Sequence, residues 1–181
     1  PKIDGANALM SLVSVKNPDA KELEKVEVWF PNNFAREGAM LIDTPGVNDP
    51  EIWREKITLE ALASADAAIF LLDASKPFSK SERNFLEGNI LGSLVKRVIF
   101  VINKFDSVDK GDIDAVKERC VRELSRYVEN PQIYYLAALQ AYRLRIGEDA
   151  PKHYLDDFEN FEISLNRFLV EERVELTFGS R

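Results

Sequence analysis

Cysteine occurs once in these 181 residues, at Cys120, which excludes an internal disulfide and fits a reducing compartment. Histidine also occurs once, at His153, and no cysteine or carboxylate cluster gives it metal-ligand spacing. Apolar runs are short: Ala67–Leu72 falls far below the roughly twenty residues that cross a bilayer. Positive charge is in deficit, with 24 Lys and Arg against 31 Asp and Glu and a net charge of −7. That balance argues against nucleic acid as a main partner, because phosphate backbones are bound through a surplus of Lys and Arg. None of the eight glycines is followed by lysine, so G-x-x-x-x-G-K-[ST] occurs nowhere. This chain therefore lacks the loop whose backbone N–H groups, lysine and Mg²⁺-binding hydroxyl grip a triphosphate. The chain opens at Pro1 without a visible signal peptide and reads as a fragment or processed piece.

What is present suits one domain with a real core: 45% hydrophobic and 30% charged residues. Apolar runs alternate with helical patterns, the signature of a mostly parallel sheet between helices. Lys25–Phe30 reads as an edge strand, and Ala39–Ile42 as a short buried strand ending at Asp43. Ala67–Leu72 and Val98–Ile102 are continuous, as for strands covered on both faces, and Ile133–Leu136 reads as the last strand. Asp49-Pro50 is a good cap for a helix carrying Ile52, Trp53, Leu59 and Leu62. Ser79 and Glu82 form an S-x-x-E capping box before Phe85, Leu86 and Ile90. Ile113, Val116, Cys120, Leu124 and Tyr127 recur at helical spacing, which turns Cys120 to the core. Phe158, Phe161, Leu165 and Phe168 do the same, beside a solvated acidic face from Asp156 to Glu162. Pro31–Gly38 and Gly147–Lys152 have loop composition.

Two short stretches carry chemistry. Asp43-Thr44-Pro45-Gly46 reads as D-x-x-G, and Asn103-Lys104-Phe105-Asp106 as N-K-x-D. Each follows an apolar run and so belongs at a strand's carboxyl end, where open α/β sheets bind ligands. A carboxylate at 43 can hold a nucleotide-bound Mg²⁺, usually through water. Gly46, without a Cβ, lets its N–H approach a terminal phosphate. Alone, Asp-Thr-Pro-Gly is equally a plain turn. The second motif adds base selectivity: the Asp106 carboxylate can accept two hydrogen bonds from guanine, which adenine cannot offer. Asn103 would brace neighbouring loops, and the Lys104 stem would lie along the purine face. Ala137-Ala138 lies where the similar motif set of GTPases often presents a Ser-Ala pair, whose backbone N–H meets the guanine oxygen. Ala137 lacks the loop-bracing hydroxyl, and a strand running straight into a helix explains the stretch as well. Val47 stands where Ras-like enzymes, which carry a similar motif, have a water-orienting glutamine, and a valine cannot do that work.

With these motifs in place, the chain resembles the dynamin superfamily, in particular bacterial dynamin-like proteins. The likeness runs through LIDTPGVND (Leu41–Asp49), ADAAIFLLDASKPFSKSERNFL (Ala65–Leu86) and NKFDSVDKGDIDA (Asn103–Ala115). It implies a Ras-like, P-loop-NTPase-type three-layer α/β/α fold with a mostly parallel sheet, partial because the P-loop strand is absent. It also implies GTP or GDP with Mg²⁺ as cofactors, and GTP hydrolysis by the intact protein. The expected nucleotide contacts are Asp43, Thr44, Gly46, Asn103, Lys104, Asp106, Asp109, Ala137 and Ala138, with Asp43 serving the metal and no catalytic residue assigned. The expected partners are a guanine nucleotide, a second copy across the nucleotide face and, for the intact protein, a membrane surface approached from the cytoplasm. Two other readings stay open: a non-hydrolysing nucleotide sensor, and a ribosome-associated GTPase, which the acidic balance disfavours.

The expected organisation is a remnant of the first switch region over 1–24, the GTPase domain's later two-thirds over 25–173, and a linker from 174. Only Thr44, Thr58 and Thr177 are threonines, so the Mg²⁺-sensing threonine upstream of Asp43 is missing too. In the family's sheet the P-loop strand lies between the strands ending at Asp43 and Asp73. Without it those strands would face a gap with unpaired edges, which is costly.

Overall fold

The computed structural model describes residues 40–44, 52–90 and 97–168, without the side chains of 52–57, 90 and 97. They belong to one compact unit. The expectations for Lys25–Phe30, Pro31–Gly38, Asp49-Pro50 and the stretches 1–24 and 174–181 lie outside the described residues.

A parallel sheet of three strands, in the order β1-β2-β3, organises these residues. Helix α1 (Ile52–Ser64) leads into β1 (Ala67–Asp73), followed by α2 (Lys80–Phe85) and a π-helical turn over Leu86–Ile90. Strand β2 (Arg97–Asn103) ends in a 3₁₀ turn, Phe105–Ser107, before α3 (Ile113–Leu124). Strand β3 (Gln132–Tyr135), α4 (Ala138–Arg145) and α5 (His153–Arg167) complete the order. In register, Asp73 lies opposite Asn103, and Ile102 opposite Tyr135.

The central strand is covered on both faces, as its unbroken apolar run requires: Ile99, Phe100, Val101 and Ile102 are all buried. On one face Phe70, Leu72, Phe100 and Ile102 pack with Phe85, Leu86, Cys120 and Leu124 of the α2 and α3 side. The Ser79–Glu82 capping box forms as the sequence indicates. Ser79 N–H donates to Glu82 Oε2 at 2.6 Å, and Glu82 N–H to Ser79 Oγ at 3.3 Å. Buried Glu123 accepts from Arg126 at 2.8 Å and lies 3.8 Å from Arg83, which fastens α3 to α2. On the opposite face α5 covers β3, with Phe161 edge-on to Tyr134 at 5.1 Å. Helices α4 and α5 are joined by the Arg145–Glu162 ion pair. Gly147, at φ +82°, closes α4: its N–H reaches Leu144 O and that of Glu148 reaches Arg143 O.

Two strand expectations need correction. Met40–Ile42 form no strand and are exposed, at 66%, 58% and 43%. An apolar run becomes a strand only beside a hydrogen-bonded neighbour, and among the described residues none pairs with it. Among the described residues, strand β1 is not covered on both faces either. Phe70 and Leu72 are buried, while Ile69 and Leu71 are 37% and 61% exposed. Among the described residues β1 pairs on one side only, with β2.

Candidate base-reading site and relatives

Three strand ends converge at the carboxyl edge of the sheet, tied by backbone hydrogen bonds that continue past the strands. Ala74 N–H donates to Asn103 O, Leu136 N–H to Ile102 O, and Phe105 N–H to Leu136 O, each at 2.9 Å. The N-K-x-D segment is thus held between the loops after β1 and β3. Lys104 takes a left-handed backbone (φ 59°, ψ 35°), which turns the chain sharply at the strand's end. A non-glycine residue there is strained, and such strain persists where the surroundings fix the conformation. Here Ser107 does so from below, giving both its N–H (3.0 Å) and its hydroxyl (2.7 Å) to Lys104 O.

Each side chain of the motif has a partner. Asn103 Oδ1 accepts the Ala138 N–H at 3.1 Å, supplying a cap to α4 that Ala137 cannot provide. Lys104 Nζ reaches 2.6 Å from Asp73 Oδ2, so its stem spans the ends of β2 and β1. Ser75 gives its N–H (2.9 Å) and hydroxyl (2.7 Å) to the other oxygen of Asp73. Phe105 stacks obliquely on Tyr135 at 4.9 Å, and Lys117 Nζ lies 5.8 Å and 5.4 Å from the two ring centres. Burial pushes the Tyr135 phenol up to about 12, so it stays a neutral donor, to Lys117 O at 3.4 Å. Asp106 is exposed at the rim, where its Oδ2 accepts from Gln140 Nε2 at 2.8 Å.

The Lys104 ammonium, and then Ser75, hold the Asp73 carboxyl down at about 2, against an ordinary value of roughly 3.9. A depressed carboxylate contributes stability above its unfolded value and loses it as pH falls through the folded one. The Lys104 anchor is therefore complete above about pH 4 and released near pH 2. Because Asp73 is about a third exposed, its effect on global stability is small. Carbon-detected NMR titration of the Asp73 carboxyl should show a midpoint near 2. A midpoint at the ordinary carboxylate value would refute the anchor.

Of the residues expected from sequence, Asn103, Lys104, Asp106, Ala137 and Ala138 come together here. Asp43 and Thr44 lie in the irregular segment 40–44, and Gly46 lies outside the described residues. Asp109 is exposed in the turn before α3, where its carbonyl accepts the Asp112 N–H at 2.8 Å. Sequence reasoning missed Asp73 and Gln140. Asp73 closes an apolar run just as Asn103 does, so strand-end logic could have found it. Gln140 carries no such signal. Asp43 has oxygen-donor chemistry that suits Mg²⁺, but the P-loop hydroxyl that would share the ion is absent from this chain.

Relatives match across most of the chain. Dynamin-like protein 1 of Campylobacter jejuni is 27% identical over 84% of this chain and 23% of its own length. The bacterial dynamin-like protein of Nostoc punctiforme is 31% identical over 94% of this chain and 27% of its own. GTPase Der of Mycoplasma capricolum is 25% identical over 80% of this chain and 35% of its own. The chain thus spans about a quarter to a third of the length of these curated relatives. The model of the dynamin family matches residues 7–105, more than half of the chain. With a parallel three-stranded sheet between helices, part of an α/β fold of the P-loop-NTPase type, the chain belongs to the dynamin family.

Proposed function

We propose that this chain reads the guanine base for a GTP-hydrolysing, dynamin-like protein. One observation carries the reading: the N-K-x-D side chains are set at the carboxyl edge of parallel strands, with Lys104 pinned to Asp73 and Asp106 turned to solvent. Asp106 accepts the guanine ring N–H and exocyclic amine, the Lys104 stem forms a shelf beneath the purine, and Asn103 keeps the β3–α4 loop against the motif. The Ala138 N–H, now given to Asn103, reaches the guanine oxygen only by leaving or sharing that bond.

On the phosphate side, Asp43 is assigned to Mg²⁺, and Thr44 and Gly46 to the terminal phosphate. Asp109 is assigned to the rim near the nucleotide and a second copy. Hydrolysis, pairing of two copies across the nucleotide face, and attachment to a membrane from the cytoplasm are assigned to the intact protein. Family membership and the names of the two dynamin-like relatives support these assignments. The acidic balance favours a protein or membrane partner over nucleic acid. Val47 favours a second reading, a nucleotide sensor that does not hydrolyse. Phosphate release from GTP by the intact protein, at or above background, separates the two.

Affinity should come from the base. Without a phosphate cradle, guanosine, GDP and GTP should bind the 181-residue chain within about tenfold of one another, with dissociation constants on the order of a millimolar. ADP should bind at least about tenfold more weakly than GDP. NMR titration of the chain's amides measures all four. Equal affinity for ADP and GDP would sink the base-reading assignment.

A further inference from the structure

Gln140 is a half-buried residue in the first turn of α4, 34 positions from Asp106, and its amide Nε2 reaches the Asp106 carboxylate at 2.8 Å. Ala137, which begins the same helix, has no side-chain donor to offer that carboxylate. We propose that Gln140 is the residue that sets the selectivity of this site for guanine, by fixing the plane of the Asp106 carboxylate before the base arrives. The proposal rests on the base-reading assignment of Asp106.

The chemistry allows both contacts at once. A carboxylate offers about four acceptor positions. Guanine needs one on each oxygen, for its ring N–H and its amine, so Gln140 can keep a remaining position on Oδ2. The gain comes from order. The terminal torsion of an aspartate is broad, and Asp106 is exposed, so without a partner its plane turns freely. A two-point contact forms only in one plane, and every freedom frozen on binding weakens the complex. Gln140 removes that freedom in advance from a rigid position. Helix α4 is capped by Asn103 from the same motif, so the donor and the carboxylate share one frame.

The Lys104 ammonium does not take over this task, because it is committed to Asp73 on the opposite side of the motif. The two carboxylates therefore have separate cationic or amide partners. Asp73 anchors the shelf, and Gln140 orients the base-reading group. Gln140 is in this sense a positioning residue that acts through Asp106.

The test compares GDP with ADP, since ADP does not use Asp106, on the whole 181-residue chain by NMR titration. Gln140→Ala keeps a good helix former at a half-buried position and removes the donor. It should lower GDP affinity about five- to tenfold and leave ADP affinity unchanged, so the preference itself shrinks. Gln140→Lys restores a donor of similar reach and should return the preference to within about twofold of the parent chain. A GDP preference that survives Gln140→Ala overturns the proposal and spares the base-reading assignment. A loss that Gln140→Lys does not rescue also overturns it, because the donor is then not what matters. A parent chain without preference for GDP overturns the assignment, and the proposal with it.

Discussion

Asp106→Asn should turn the proposed guanine site into one that favours xanthine. The carboxylate offers acceptors alone, matched to the ring N–H and amine of guanine. The amide offers one acceptor and a pair of donors, and the 2-carbonyl of xanthine suits those donors. Hydrogen bonds to a charged group contribute about 1.5–3 kcal/mol each, so losing the match should cut the GDP preference over ADP by one to two orders of magnitude. Xanthosine diphosphate should gain by roughly the same factor. The substitution lies on an exposed residue and should leave the urea midpoint of unfolding within experimental error. Unchanged preference for GDP would mean that the carboxylate does not face the base.

The largest effect on stability is expected at the other end of the site's foundation. Phe100 is fully buried at the centre of β2 and meets Phe70 edge-on at 6.2 Å. Phe100→Ala removes a ring from between β1 and the α3 side of the core. Substitutions of that kind cost about 3–5 kcal/mol. A domain holds roughly 5–15 kcal/mol in all, so the variant should be largely unfolded at 37 °C or close to it. Leu139→Ala, on a side chain 60% exposed, is the matched control and should change stability by less than about 0.5 kcal/mol. Equilibrium urea unfolding reads both. A cost below about 1 kcal/mol for Phe100→Ala would place that ring outside the core.

Local patterns carried the sheet and its helices. The runs at Ala67–Leu72, Val98–Ile102 and Ile133–Leu136 became β1, β2 and β3, and the Ser79–Glu82 pair became a true capping box. The helical spacing of Cys120 and Leu124 placed both in the core. These features depend on near neighbours, so they are written in contiguous residues. Met40–Ile42 failed because a strand also needs a partner, and among the described residues none pairs with it. Ile69 and Leu71 show the same limit, since coverage of a face depends on what lies across from it. In the candidate site, Asn103 and Asp106 were singled out by motif spacing. The contacts that hold them were not. Asp73 lies 31 positions from Lys104 and Gln140 lies 34 from Asp106, separations that only the folded sheet closes.

The bond between Lys104 and Asp73 also has a use as a gauge of correct assembly. It forms between two strand ends whose registration sets Asp73 opposite Asn103. Sliding β1 by a single residue would move the carboxylate about 3.3 Å along the sheet and turn it to the opposite face. No rotamer of lysine recovers both the distance and the side. Molecules with a slipped sheet would therefore lack the shelf proposed to lie beneath the purine. Ligand capture then discriminates between sheets, retaining those paired as β1 and β2 are here and passing over the rest.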